Sequence, residues 1–212
     1  MMHHPQLKAS LHLLLAWLIL SVAGFIFGEK IVVLFLPYLG WVSDIISVSY
    51  KPSLEVISQG NTLLIHMQAV VEQPIYVHNT MTIPPGVKMT AGSNLIHTLV
   101  PLVILFSTLS AWPTTDFRQR IILLLLGLPM IFLILGLTVP FLLAGHLEIM
   151  LTEYAEKGGE VREMSLLVVW MLFNEMGGIW IIPLVSAGIN FIIMRRIHSI
   201  LWANPCHKCS AQ

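Results

Sequence analysis

The sequence has very few charged residues. Lys, Arg, Asp and Glu make up 10% of its 212 residues, whereas 56% are hydrophobic. A soluble domain carries about 25% charged residues and needs a polar shell around its core. This composition therefore excludes both a soluble globular domain and a disordered chain, and it is typical of an integral membrane protein.

The chain also has no excess of basic residues and few cysteines. The 11 Lys and Arg residues balance 11 Asp and Glu residues, so the chain offers no basic surface for nucleic acid. Its two cysteines, Cys206 and Cys209, lie together near the C-terminus and provide no disulfide framework for the rest of the chain. We expect neither a nucleic-acid partner nor a bound cofactor.

Four apolar stretches approach the length of about 20 residues that a membrane-spanning helix needs. They lie at about residues 11–28, 96–112, 121–145 and 170–194. The second stretch is short, and the first lacks a good signal-peptidase site, which favours an uncleaved anchor. We therefore predict a mainly α-helical integral membrane protein, with four transmembrane helices in a single membrane domain over residues 1–212.

The positions of Lys and Arg predict how these helices are oriented. Four spans put both termini on one side, together with the short loop before the third span. Basic residues crowd close to the membrane on that side, while those on the other side are spread over long segments. Because cytoplasmic loops are enriched in Lys and Arg, both termini are expected in the cytoplasm. This predicts a multi-pass protein of the cell's inner membrane with a cytoplasmic tail at 195–212.

The segment between the first and second spans has a different amino-acid composition from the spans. Its first part, 31–42, is apolar but contains Pro37 and Gly40, and is expected to extend the first helix or to lie in the membrane interface. From about residue 45 to 90, β-branched residues and turn residues predict a small extracytoplasmic antiparallel sheet of three or four strands. Gly60 and the Asn after it suit a tight hairpin turn. Alternation then places four apolar side chains on one face: Leu63, Ile65, Met67 and Ala69.

Polar and ionisable residues gather where the predicted helices meet the outer interface. They are Ser93, His97, His146 and Glu175. Each has a structural interpretation: Ser93 suits a helix N-cap, His97 a hydrogen-bonded helix residue, and His146 a solvated helix end. Glu175, flanked by apolar residues, either sits at the lipid headgroups or serves a function, because a carboxylate in an apolar helix is costly.

The functional interpretation of the same residues is an outward-facing polar cavity. Ser93 would be a nucleophile activated by His97 or His146, and Glu175 would orient that base. Together with Glu148, the two histidines and Glu175 could also bind a metal, but no established ligand spacing supports this. The other weak metal candidate is the Cys206-x-x-Cys209 pair, which is otherwise typical of a reduced, unstructured tail.

The order of these segments resembles that of exosortases and archaeosortases, multi-pass membrane proteins that process and sort envelope proteins with a C-terminal tripartite signal. The resemblance covers about residues 90–194 and is carried by TAGSNLIHTLVPLVILF, RQRIILLLLGLPMIFLILGL and LLVVWMLFNEMGG. The family places Cys-Ser-Gly at the outer start of one helix and Arg at the outer end of the next. Here Gly92-Ser93-Asn94 and His146 stand at those places, so the catalytic residues do not carry over.

What the resemblance implies is a non-catalytic companion, similar to the membrane proteins associated with exosortase H. Its partner would be a membrane protease or the tail of a sorted protein. Two alternatives stay open: a membrane-embedded serine-type acyl-transfer or peptide-cleaving enzyme that uses Ser93, and a small transporter subunit.

Overall fold

The computed structural model describes residues 4–60, 62–76, 82–112, 117–157 and 163–202, and most of these residues are helical. The helices are α1 (His4–Ile46), α2 (Ile96–Ala111), α3 (Phe117–Lys157), α4 (Leu166–Phe173) and α5 (Ile179–Trp202), with a π-helical turn (Asn174–Gly178) joining α4 to α5. The strands are β1 (Tyr50–Gln59), β2 (Thr62–Val71), β3 (Ile75–Tyr76), β4 (Thr82–Ile83) and β5 (Lys88–Asn94).

Three helical stretches are long and apolar enough to cross a membrane. They are Ser10–Ile46, Phe117–Lys157 and Leu166–Ile197, while Ile96–Ala111 is a shorter apolar helix. The prediction of a mainly helical fold that carries a small antiparallel sheet is confirmed, and the three long apolar helices fit the predicted membrane protein.

The helix boundaries differ from the sequence-based ones, most of all in α1. This helix does not end near residue 28 but runs to Ile46, through Glu29, Lys30 and Pro37. Of the two predictions for 31–42, extension of the first helix is therefore confirmed. The apolar run ends at Glu29, but Glu and Lys are good helix formers and do not terminate a helix.

The third and fourth helical stretches are also longer than predicted. Helix α3 runs beyond 121–145 at both ends, to Phe117 and Lys157. The stretch assigned to 170–194 begins at Leu166 and includes a kink, at which Gly177 has φ +128°. The expected tail at 195–212 starts as helix, since α5 continues to Trp202. Residues 203–212, with Cys206 and Cys209, lie outside the described residues.

The sheet confirms the predicted hairpin. Strands β1 and β2 pair antiparallel with Gln59 opposite Thr62, so two residues connect them, and Gly60 has φ +63°. Residues 62–71 turn the predicted apolar face inward, with Ile65, Met67 and Ala69 buried. The opposite face carries both apolar and polar residues, and on it Nδ1 of His66 lies 3.2 Å from Oε1 of Glu55.

A further strand follows where the sheet was expected to end. The prolines at 84 and 85 and Gly86 form a turn instead of the end of the sheet, and β5 then pairs antiparallel with β2 up to Asn94. The main sheet has the order β1-β2-β5, and β3 and β4 form a separate two-stranded sheet. The expectation that Ser93 caps the start of the second helix was wrong, because Ser93 and Asn94 are both residues of β5.

One contiguous core joins the sheet to the helices. The inward face of β2 and β5 packs with the second halves of α1 and α3, and Val32, Leu39, Ile65, Ala91 and Leu147 all belong to this buried cluster. Helix α2 packs against α1, α3 and α5. The sheet therefore stands beside the second half of α1.

Candidate functional site

Two of the four candidate residues meet at the junction of α3 and the π-helical turn. Nε2 of His146 lies 3.5 Å from Oε1 of Glu175, and both side chains are about one-third exposed (34% and 39%). A partly exposed pair at this distance stabilises the fold only weakly, by about 1 kcal/mol or less. The separation of 3.5 Å is that of an ion-pair contact and is longer than the 2.7–3.2 Å of an N–H···O hydrogen bond.

The local sequence explains why Glu175 reaches His146. The π-helical turn shifts the register of the helix, and only glycine readily adopts the φ of +128° found at Gly177. Helix α4 also approaches α3 very closely at Gly145, where an added Cβ would lie 2.5 Å from Cβ of Met171. Two glycines therefore position the pair.

Ser93 lies elsewhere, inside the sheet. It pairs with Ile65 of β2 and is 6% exposed, on the same inward face as Met89 and Ala91. Ser93 is not an N-cap. The side chain that accepts a hydrogen bond at the start of α2 is that of the next residue, Asn94, whose Oδ1 accepts from the backbone N–H of Ile96 at 3.0 Å.

His97 is half-buried in the first turn of α2, and its Nδ1 is buried without a hydrogen-bond partner. Over the described ranges, no hydrogen bond links Ser93 to His97, His146 or Glu175. A serine nucleophile needs a base within about 3.2 Å of its hydroxyl. The structure thus joins a histidine to a carboxylate, but it does not join a serine to either histidine.

The carboxylate of Glu148, two residues beyond His146 in α3, lies near the start of the sheet. Burial raises the pKa of the Tyr50 phenol, the negative charge of Glu148 raises this pKa further, and a hydrogen bond with Ser47 lowers it. Glu148 therefore lies near Tyr50 of β1. In the part of the chain that the structure describes, no three His, Cys, Asp or Glu side chains cluster as metal ligands do.

A feature that the sequence reasoning missed is an apolar stripe on the second half of α1, formed by Leu34, Pro37, Trp41 and Ile45. Leu34, Trp41 and Ile45 are 76%, 62% and 63% exposed, although the opposite side of the same helix is buried against the sheet and α3. The spacing of three and four residues places the stripe on one helix face. The sequence signal was an apolar run that continued for 16 residues beyond Lys30 with only Asp44 charged.

A second missed feature is a lateral groove of about 360 Å³ between α1 and α5, which has α2 as its floor. Trp17 and Gly24 of α1, Val103 of α2 and Trp180 of α5 are among the lining residues. The glycine spacing of Gly24-x-x-x-Gly28 was the signal, because it lets α2 approach α1: an added Cβ on Gly28 would lie 2.5 Å from the Leu99 side chain.

Comparison with known proteins yields no relative: no family model, no curated protein and no solved structure matches the chain.

Proposed function

We propose that this chain is a non-catalytic accessory protein of an envelope protein-sorting or processing system in the inner membrane. Its role is to bind another membrane protein along α1, beside the sheet. The observation that carries the proposal is the apolar stripe of Leu34, Trp41 and Ile45, exposed on a helix whose other side packs against the sheet and α3. The resemblance to exosortases supports a sorting protease, or the tail that it processes, as the partner.

The length of α1 supports a position of the stripe outside the hydrocarbon. Its apolar stretch Ser10–Ile46 has 37 residues, which corresponds to about 55 Å of helix, whereas the bilayer core is about 30 Å thick. Roughly 25 Å of this helix therefore lies beyond the core. The half that packs with the sheet is the half that protrudes, because the outward face of the sheet carries exposed Lys51 and Glu55, which need water.

In water, an apolar stripe of this kind favours a protein partner. Contiguous apolar patches on protein surfaces mark interaction sites, and aromatic residues such as Trp41 are enriched in them. The occupant that we propose is an apolar helix of a second membrane protein, which would lie along α1 from Leu34 to Ile45. A partner anchored in the same membrane suits this geometry, because its own span would continue beside the first half of α1.

The charges at the other end of the bundle support the orientation. Arg118 and Arg120 lie at the start of α3, and Arg195 and Arg196 lie in the second half of α5. These two helix ends are the ones away from the sheet. Enrichment of Arg in short segments beside the membrane favours this end as cytoplasmic. With α2 as a short fourth span, both termini are then cytoplasmic and the sheet is outside the cytoplasm.

The test is purification from native membranes after cross-linking with an amine-reactive reagent, followed by mass spectrometry. Lys30 lies one turn before Leu34 and is exposed, as is Lys51 in β1. We expect one membrane protein to be recovered in stoichiometric amounts, with cross-links to Lys30 or Lys51, and we expect it to be a protease or its substrate. Recovery of this chain alone, or of proteins cross-linked only to Lys157 at the end of α3, would contradict the proposal.

A further inference from the structure

The lateral groove between α1 and α5 has the dimensions and polarity of a lipid site. We propose that it holds one acyl chain of a phospholipid whose head group carries a primary ammonium. This site is separate from the apolar stripe on the second half of α1, so a result against the proposed function would not count against the lipid site.

The wall of the groove is apolar over the depth of one membrane leaflet. It extends from Trp17 to Glu29 along α1, which is about 18 Å at 1.5 Å per residue, compared with about 15 Å for half of a bilayer core. Leu99 and Val103 of α2 form the floor, and Trp180 of α5 closes the far side. A chain of methylenes lying along this wall would therefore reach the depth of the bilayer midplane.

The volume favours a single chain over a helix. The groove encloses about 360 Å³. An α-helix with its side chains is about 10 Å wide, so a segment about 18 Å long would need on the order of 1,400 Å³. A transmembrane helix of a partner would therefore lie over the groove with most of its volume outside it, whereas an acyl chain, which is one methylene wide, fits inside.

The polar end of the groove selects the head group. Glu29, Thr62 and Asn94 border it where the hairpin of the sheet meets the start of α2. In the part of the chain that the structure describes, Glu29 is exposed and has no ion-pair or hydrogen-bond partner. Its carboxylate can accept hydrogen bonds from an ammonium, and the Nδ2 amide of Asn94 can donate to a phosphate or ester oxygen. A zwitterionic head group satisfies both residues, whereas an anionic head group without an amine is repelled by Glu29.

The test is native mass spectrometry of the purified chain incubated with equal amounts of phosphatidylethanolamine and phosphatidylglycerol. We expect one bound lipid per chain, mainly phosphatidylethanolamine. Glu29→Gln is expected to keep a bound lipid but to abolish the preference, and this exposed substitution leaves the fold intact. Val103→Trp, which fills the groove, is expected to lower the bound fraction of both lipids by about tenfold in apparent affinity.

The matched control for filling is Val185→Trp, since Val185 of α5 is 55% exposed and does not line the groove. It is expected to bind lipid as the unsubstituted chain does. Absence of any retained lipid, equal retention of the two lipids by the unsubstituted chain, or equal retention by Val103→Trp and Val185→Trp would each overturn the proposal.

Discussion

Trp41→Glu is expected to abolish recovery of the partner while the chain itself still accumulates in the membrane. Trp41 lies in the middle of the apolar stripe, 62% exposed, so its loss leaves the core of the chain intact. A central aromatic anchor typically contributes about 2–4 kcal/mol to an interface, and burying a carboxylate there adds an unfavourable desolvation term. This corresponds to a loss of at least about 30-fold in partner affinity. The measurement is the ratio of partner to chain after purification, by quantitative mass spectrometry.

Two controls separate loss of the interface from loss of the fold. Tyr76→Glu makes the same kind of change at an aromatic residue that is 74% exposed on β3, away from the stripe, and it should leave the ratio unchanged. Trp41→Phe keeps an aromatic side chain and should retain most of the partner. If Trp41→Glu and Tyr76→Glu recover equal amounts of partner, the stripe is not the binding surface.

Gly145→Leu is expected to displace α4 from α3 and to destabilise the protein strongly. Even a single added Cβ would lie 2.5 Å from Cβ of Met171 and 2.9 Å from the backbone oxygen of Leu167, so backbone must move to accommodate any side chain. Overpacking of this kind typically costs about 1–3 kcal/mol, which for a chain of this size lowers the melting temperature by roughly 3–10 °C. The displacement also separates His146 from Glu175.

The indole of Trp170 provides the readout for this displacement. Its Nε1 donates a 2.7 Å hydrogen bond to the backbone oxygen of Leu137, across the α3–α4 contact. We expect Gly145→Leu to shift the tryptophan emission and to lower the melting temperature of the purified protein. Gly188→Leu is the matched control, because an added Cβ there meets nothing within 4 Å. Equal melting temperatures for the two variants would show that α4 does not pack on Gly145 as described.

The parts of the fold that follow from local patterns were predictable from the sequence. The hairpin needed only the turn at Gly60 and the alternation from Leu63 to Ala69, both of which are local properties. Helix α2 was predicted almost to the residue, because its apolar run is short and lies between Asn94 and Pro113 in the sequence. The ends of α1 were not predictable in this way, because hydropathy marks where lipid contact stops but not where helical hydrogen bonding stops.

The candidate site was predicted less completely, because it depends on how distant elements pack. His146 and Glu175 meet only because the π-helical turn and Gly177 change the direction of the chain, and hydropathy does not reveal this. Ser93 was assigned to a helix start, but it pairs in the sheet with Ile65, 28 residues earlier, and a non-local pairing is not visible in a local pattern. The apolar stripe could not be predicted from the sequence for a different reason. The sequence shows that most of α1 is apolar, whereas only the tertiary packing shows which side of the helix remains uncovered.

The most direct test of the proposed function is to identify what covers Trp41 in native membranes. A photoreactive amino acid is placed at Trp41 and, as a reference, at Phe25, which is 92% exposed on the half of α1 assigned to the bilayer. After irradiation of whole cells, we expect the Trp41 position to form an adduct with one other membrane protein and the Phe25 position to react mainly with lipid. Lipid adducts at both positions would contradict the account, because they would place the stripe of α1 inside the bilayer and not at a protein interface.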